Sequence, residues 1–187
     1  MVEILRLNGI EYKVTQYGRK PTMYVWASAH VADSGWSDFH AQTEFIKNLR
    51  PPIVLHEFFL DVIYNPKTGL YTKRDTGKSA TEFQNRLERS SDILIETRAV
   101  KDLADELGHK VVGCDSRADQ YDVVPDSERE SEQADVIKRY NGTSVKPHIT
   151  ITGAIHCLPT SNLNRLLKRE KIDYAVIQKL ERELVLV

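Results

Sequence analysis

Cysteine is scarce in this chain of 187 residues, which contains only Cys114 and Cys157. The two lie far apart in apolar surroundings, so they predict buried thiols in a reducing compartment and not a disulfide framework. No window approaches the roughly 18 apolar residues that a transmembrane helix needs. Residues 1–3 lack the basic and apolar regions of a signal peptide, so we expect a cytoplasmic protein.

The chain also lacks an excess of charge of either sign, with 26 basic and 27 acidic residues and a formal net charge of -1. There is no overall field to attract nucleic acid or an anionic membrane, and any nucleic-acid contact must be local. We therefore expect no membrane partner and no strong overall nucleic-acid signal. The expected partner is a protein or nucleotide substrate of unknown identity.

The apolar pattern predicts one α/β domain over residues 1–187 with a mixed sheet. Residues 3–18 alternate about Asn8-Gly9, which predicts an antiparallel hairpin, and residues 24–29 would extend it to a meander. The nearly continuous apolar run at 53–64 predicts a buried strand. We expect a strand-rich N-terminal half and a helix-rich C-terminal half, with a possible subdivision into residues 1–78 and 79–187.

Helical spacing is clearest in the second half of the chain. A helix is predicted around Val100 to Leu107 with Gly108 ending it, before a short strand at 110–114. The charged stretch 115–132 predicts an exposed loop that runs into a helix capped by Asp126 or Ser127. Two terminal helices are predicted, one capped by Ser161 and one beginning at Asp173.

The greatest density of reactive side chains follows the strand at 24–29. The segment from Ala29 to His40 predicts a polar loop, after which Ser37 or Asp38 caps a helix that Pro51-Pro52 ends. Loops at the ends of buried strands often carry function, because the scaffold holds their side chains rigidly. The ligand-type and hydroxyl residues of this segment are His30, Asp33, Ser34, Ser37, Asp38 and His40.

This segment resembles the core of the JAB/MPN (JAMM) metalloproteases over about residues 24–70. The elements that carry the resemblance are Trp26-x-Ser28-x-His30, then Ser37-x-x-His40, a helix, an apolar strand and the Asn65-Pro-x-x-Gly69 turn. The resemblance implies that His30 is a zinc ligand, that His40 stands at the zinc aspartate, and that Ser37 helps to hold the tetrahedral intermediate. Ser28 replaces the first histidine of the family motif, and Val31 replaces its proline.

The residues themselves allow a catalytic zinc site. Such a site needs three protein ligands and one open position, which His30, His40 and either Asp33 or His56 could supply. Glu57 or Asp61 could then be the base for a zinc-bound water. The leading interpretation is a metal-dependent hydrolase, JAMM-like, whose substrate is unknown and could be a peptide or isopeptide bond. The alternative is that His30 and His40 are ordinary hydrogen-bonded residues of a polar loop.

A second candidate site lies in the strand predicted within residues 145–157. His148 and Thr150 share one face of this strand, because side chains two apart point the same way. Pro-His-Ile-Thr-Ile resembles one half of the paired His-x-Thr signature of the 2H phosphoesterases, which implies acid–base action on RNA or cyclic nucleotides. A second histidine, His56 or His30, would have to lie opposite. A third interpretation is a non-catalytic binding or assembly module that uses the acidic loop and the basic terminal helix.

Overall fold

The structure, a computed structural model, describes residues 1–28, 32–57, 62–65, 70–73, 100–115, 117 and 123–180, with 32–39, 62–65 and 70–73 described by their backbone alone. This part of the chain forms a nine-stranded sheet in the order β1-β2-β9-β3-β8-β4-β7-β5-β6. The strands are β1 (Val2–Leu7), β2 (Ile10–Tyr17), β3 (Met23–Ser28), β4 (Ile53–His56), β5 (Val62–Asn65), β6 (Leu70–Lys73), β7 (Lys110–Gly113), β8 (His148–Gly153) and β9 (Tyr174–Lys179).

Parallel strands form the centre of the sheet. Strands β9, β3, β8, β4 and β7 are parallel neighbours, while β1 and β2 form an antiparallel hairpin at one edge. Strand β2 pairs antiparallel with β9, and β6 pairs antiparallel with β5 at the other edge. The mixed sheet and its helices confirm the predicted α/β class. No helix in the described part of the chain is long and apolar enough to cross a membrane.

Helices cover both faces of the sheet. The helices are α1 (Ala32–Leu49), a helical segment at residues 100–106, α2 (Asp126–Tyr140) and α3 (Asn162–Arg169), with a 3-10 turn at Ala154–Cys157. The connections β3-α1-β4 and β7-α2-β8 run in opposite directions along the sheet. Because such crossovers are right-handed, their helices lie on opposite faces. The core accordingly has two layers, one that includes Trp26 and Ile46 and one that includes Leu55 and Ile137.

Several local predictions are confirmed. Asn8 (φ 48°) and Gly9 (φ 77°) make the turn of the β1-β2 hairpin in the left-handed conformation that two-residue hairpin loops require. Cys114 and Cys157 are buried free thiols. Gly108, at φ 68°, follows the helical segment 100–106 as predicted. The Ser161 hydroxyl accepts a hydrogen bond from the Asn164 amide and caps α3.

Three predictions about the sheet are wrong. The segment after Asp173 is strand β9 and not a helix, because a short apolar run fits a parallel strand buried on both faces as well as a helix. Strand β9 inserts between β2 and β3, so the first three strands do not form a meander. The sequence predicts one strand at 53–64. The described residues of this range instead belong to two strands, β4 and β5, which lie on either side of β7.

The prediction of a polar loop after β3 is also wrong for the described residues of that segment. Helix α1 begins at Ala32, so Ser37 and Asp38 lie inside it and do not cap it. Acidic and hydroxyl residues are favourable in the first turns of a helix, where Asp33 and Ser34 stand. The predicted exposed loop 115–132 is likewise wrong in part, since Asp115, Arg129 and Glu130 are buried.

Gly18 is a position where a side chain should be poorly tolerated. Its φ of 89° is one that L side chains rarely adopt, and an added Cβ would overlap the Asp173 carboxylate. We expect Gly18→Ala to destabilise the fold by about 2–4 kcal/mol, from left-handed strain of about 1–2 kcal/mol together with the clash. Gly142→Ala, at φ 71° and with no atom within 4 Å of its Cβ, should show the strain alone. Urea unfolding of both variants gives the comparison, and equal losses would refute the clash.

Candidate functional site: a buried charged cluster at the carboxyl ends of the strands

The carboxyl ends of the four central strands β3, β8, β4 and β7 lie side by side, and together they are called the carboxyl edge of the sheet. Ser28 at the end of β3 pairs with Gly153 at the end of β8, and His56 at the end of β4 pairs with Gly113 at the end of β7. After β3 the chain enters α1 on one face, whereas after β8 it enters the 3-10 turn and α3 on the other. Neighbouring parallel strands whose connections diverge in this way form a crevice, which is the usual place for a ligand in open α/β sheets.

Glu57 directly follows β4, and its carboxylate lies among the carboxyl ends of the parallel strands. Its amide donates to the Ile151 carbonyl at 2.9 Å, which extends the ladder with β8 by one residue. Its Oε2 accepts hydrogen bonds from the Thr152 hydroxyl at 2.8 Å and from the Gly153 amide at 2.6 Å. The side chain is 2 % exposed, so the carboxylate is held by protein donors and not by bulk water.

Arg129, in the first turn of α2, joins two strand ends. Its Nη2 donates to Glu57 Oε1 at 2.5 Å and its Nε donates to Asp115 Oδ2 at 2.7 Å. Nη1 lies 3.3 Å from Asp126 Oδ1 on the same helix. Asp115 lies two residues after the end of β7. Burial raises the pKa of its carboxyl, while the Arg129 charge opposes that rise. Arg129 therefore fixes α2 against the ends of β4 and β7.

His156 stands between two carboxylates. Its Nδ1 lies 2.9 Å from Glu130 Oε1, and its Nε2 lies 3.4 Å from Glu57 Oε1. Burial alone would lower the pKa of His156, but the hydrogen bonds and charges of Glu130 and Glu57 raise it to about 9. The imidazole is therefore protonated at neutral pH. Glu130 also accepts the amides of Asn162 (2.7 Å) and Leu163 (3.2 Å) at the start of α3, where a helix favours negative charge.

Thr152 completes the cluster through Gln133. The Thr152 hydroxyl lies 2.8 Å from Glu57 Oε2 and 2.9 Å from the Gln133 side-chain oxygen, although it has one hydrogen to donate. Rotating the Gln133 amide by 180° resolves this conflict, because its nitrogen then donates to Thr152 while Thr152 donates to Glu57. In either orientation one buried amide atom of Gln133 has no hydrogen-bond partner among the described residues.

The cluster is costly to bury. Three carboxylates (Glu57, Asp115 and Glu130) and two cations (Arg129 and His156) are each at most 4 % exposed. Desolvating such groups costs several kcal/mol per ion, so a buried ion network is weak evidence for stability. Charged groups held out of water at the carboxyl ends of parallel strands are typical of functional sites. The cluster therefore pairs two cations with three carboxylates, and its formal charge is -1 when His156 is protonated.

The residues predicted from the sequence divide between the two faces of the sheet. Val54 and His56 face the layer that contains α1, while Leu55 and Glu57 face the layer that contains α2, as strand alternation requires. His40 is exposed on α1, and the backbone of Asp33 and Ser37 lies in the same helix. His30 and Asp61 lie outside the described residues. The structure thus brings Glu57, of the predicted set, into the charged cluster, and it places His56 on the other side of β4.

His148 and Thr150 share one face of β8, as predicted, but that face is covered. His148 is 1 % exposed, its Nε2 lies 3.1 Å from the Thr143 hydroxyl, and its ring packs edge-on against Tyr140 of α2. The Thr150 hydroxyl lies 3.3 Å from the Met23 sulfur. His148 begins β8, so it stands at the opposite end of that strand from the charged cluster, and His56 projects from the opposite face. The surroundings of His148 are those of a structural core histidine.

In the described part of the chain no group of three His, Cys, Asp or Glu side chains is arranged to hold a metal ion. His156 cannot be a ligand in its protonated state, because a metal-bound imidazole must have a free nitrogen lone pair. The described side chains therefore do not fit a zinc site by themselves. The predicted ligand set of His30, His40, Asp33 and His56 includes side chains outside the described residues and stays a prediction.

Sequence reasoning missed Asp115, Arg129, Glu130 and His156. A signal was present in α2, because Arg129, Glu130, Gln133, Ala134 and Ile137 recur at helical spacing and place charged residues on the apolar face. Asp115 also follows an apolar strand directly, as Glu57 does. Comparison of the chain with protein-family models, curated proteins and solved structures finds no match. The functional argument therefore rests on this geometry.

Proposed function

We propose that the chain is a hydrolase whose reaction takes place at the carboxyl edge of the parallel strands, next to Glu57, Arg129 and His156. The observation that carries the proposal is the buried ion network at this edge. It concentrates five charged groups where an open α/β sheet binds its ligands, and it does so at a cost to stability.

Arg129 and His156 would stabilise the charge that develops during hydrolysis. Attack on the carbonyl of an ester, peptide or isopeptide places negative charge on the carbonyl oxygen, and fixed buried cations stabilise such charge strongly. The three ion pairs of Arg129 with described residues use three of its five N–H groups, and the other two could donate to a substrate oxygen. His156 could also give its proton to the leaving group, because its pKa of about 9 keeps it charged at neutral pH.

Glu57 would be a positioning residue in this scheme. Its two oxygens accept from Thr152, Gly153 and Arg129, so the carboxylate orients both cations and has little capacity left to accept another proton. This role differs from the base expected for Glu57 from the sequence. Asp61, the other candidate base, lies outside the described residues.

Zinc dependence is the second part of the proposal, and it is supported by the JAMM resemblance alone. In the sequence His30 follows Ser28, the last residue of β3, by two positions, and β3 ends at the same edge as the charged cluster. A bound zinc ion would lower the pKa of a water ligand to about 7. The described residues supply no complete ligand set, so we assign no step of the reaction to the metal.

The experiment is a panel of fluorogenic ester, peptide and isopeptide substrates and a 2',3'-cyclic phosphate, each assayed with added zinc and with a chelator. We expect Arg129→Lys and His156→Gln to lower kcat/KM by about 100-fold on the hydrolysed class, as for the loss of one donor to a developing oxyanion. Lys13→Gln, an exposed change on β2, is the control. Circular dichroism of each variant separates a lost reaction from a lost fold.

The same panel distinguishes the alternatives. Activity lost with the chelator and in His30→Ala would support zinc dependence. Hydrolysis of the cyclic phosphate that fails in His148→Ala but survives in Arg129→Lys would instead favour the phosphoesterase function. Full activity in folded Arg129→Lys and His156→Gln proteins would refute the site, and no hydrolysis in any condition would favour the binding module.

A further inference from the structure

Basic residues collect at the opposite end of the molecule from the charged cluster. Three segments, 17–22, 138–148 and 165–173, contain nine Lys and Arg residues against Glu170 and Asp173, a net charge of +7 in a chain whose total is -1. All nine basic side chains are exposed. The rest of the chain must then carry -8.

Contacts join the three segments into one surface, here called the basic end. The Thr22 hydroxyl lies 2.5 Å from the Asn141 side-chain oxygen and 2.9 Å from the Asp173 carbonyl. The Lys138 ammonium lies 2.6 Å from Glu170, which links the last turn of α2 to the end of α3. These segments precede β3, β8 and β9, so the basic end lies at the amino ends of the parallel strands.

Interactions among the described residues do not account for this charge. Glu170 pairs with Lys138 and Arg169, and Asp173 accepts the Arg19 amide at 3.1 Å, so both carboxylates are already engaged. Helices α2 and α3 both end here, and basic residues in a last turn favour a helix. Each helix end contributes only about half a negative charge, or about one in total. An excess of several positive charges remains for a partner.

We propose that the basic end binds the phosphate backbone of a nucleic-acid duplex without reading its sequence. The partner must be a polyanion, and the surface is polar, with Val145 the one exposed large hydrophobic residue in the three segments. A single valine is too little apolar surface for insertion into a membrane. The Lys168 ammonium covers the Tyr17 ring at 4.6 Å, so that ring is not free to stack on unpaired bases. Phosphates of a duplex fit these features best.

The inference is independent of the proposed hydrolase activity, because it rests on other residues at the other end of the strands. It also agrees with the expectation that any nucleic-acid contact must be local in a chain of this net charge. Sequence-independent phosphate binding is governed by the release of counterions, so its defining property is a steep dependence on salt.

The test is fluorescence anisotropy of the full chain with a labelled 30-base-pair duplex of arbitrary sequence. We expect micromolar affinity at 50 mM salt and a loss of about 100-fold at 200 mM, which corresponds to four phosphate contacts. Arg139→Gln/Lys146→Gln should lower the slope of log affinity against log salt by about 1.8, for two contacts removed. Lys13→Gln/Lys101→Gln changes the net charge equally, away from the basic end, and should leave the slope unchanged.

The outcomes separate the possible partners. Equal effects of the two double variants would refute the basic end as the binding surface, and no binding at 50 mM salt would refute the proposal itself. Binding to phosphatidylserine vesicles but not to the duplex would identify an anionic membrane instead. Self-association at low salt without duplex binding, measured by light scattering, would show that the basic end pairs with acidic residues of another copy.

Discussion

Arg129→Met should destabilise the fold by about 3–5 kcal/mol, the largest effect that we expect from one substitution in this chain. The change removes the cation that pairs with Glu57 at 2.5 Å and Asp115 at 2.7 Å, and both carboxylates are then buried without a counter-charge from α2. Methionine keeps most of the volume, so little of the loss comes from a cavity. Urea unfolding at pH 7 measures the difference.

A matched variant shows whether charge is the cause. Adding Glu57→Gln and Asp115→Asn to Arg129→Met makes the three positions neutral with little change in shape, and we expect most of the lost stability to return. Replacing a whole buried ion network by neutral groups is often harmless, whereas removal of one partner is not. If the triple variant is as unstable as Arg129→Met, the role of Arg129 is packing and the electrostatic account is wrong.

Local structure could be predicted from the sequence where a few neighbouring residues decide it. Asn8-Gly9 determines the hairpin turn, because few residue pairs adopt positive φ at both positions. Ala134, Ile137 and Tyr140 determine the inward face of α2 by their helical spacing, and all three are buried. Strand β7 followed from the short apolar run at 110–114. These features depend on interactions within about ten residues.

The sheet order could not be predicted, because distant segments decide it. Strand β3 pairs with β8 and β9, more than 120 residues later in the chain. No feature of residues 23–28 identifies these two strands as its partners. The segment Tyr174–Lys179 begins with four consecutive apolar residues, a pattern shared by a buried parallel strand and a buried helix. The segment forms a strand because its neighbours β2 and β3 supply hydrogen bonds on both sides.

One residue of the candidate site, Glu57, could be identified from the sequence. The sequence indicates Glu57 as one of two candidate bases within the predicted strand 53–64. Its partner Arg129 lies 72 positions away in a segment whose charge density suggests solvent exposure. Charged residues are buried when they pair with one another, so the burial of Arg129 and Asp115 depends on both. His156 could be assigned only after Glu57 and Glu130 were known to flank it.

The stability of the fold should fall by about 2 kcal/mol more between pH 6 and pH 8 in the wild type than in His156→Gln. The pKa of His156 is about 9 in the folded chain and about 6.5 when unfolded, so the folded state binds the proton more tightly. The resulting stabilisation is complete below pH 6.5 and is lost as pH rises toward 9. Between pH 6 and pH 8 that loss amounts to about 1.4 pKa units, at 1.36 kcal/mol each.

Three choices make this measurement specific to His156. The range stops at pH 8 because burial raises the pKa of the Cys114 and Cys157 thiols, so the unfolded chain alone would lose thiol protons at higher pH and add a second decline. His40→Gln, at an exposed position on α1, removes a histidine outside the cluster and should keep the wild-type slope. Glu57 and Glu130 face the imidazole from β4 and α2, so Glu130→Gln should lower the slope part of the way, because it removes one of the two carboxylates that stabilise the charge. Urea unfolding at half-unit pH steps gives the slopes, and an identical slope in His156→Gln and the wild type would show that the buried imidazole is not protonated.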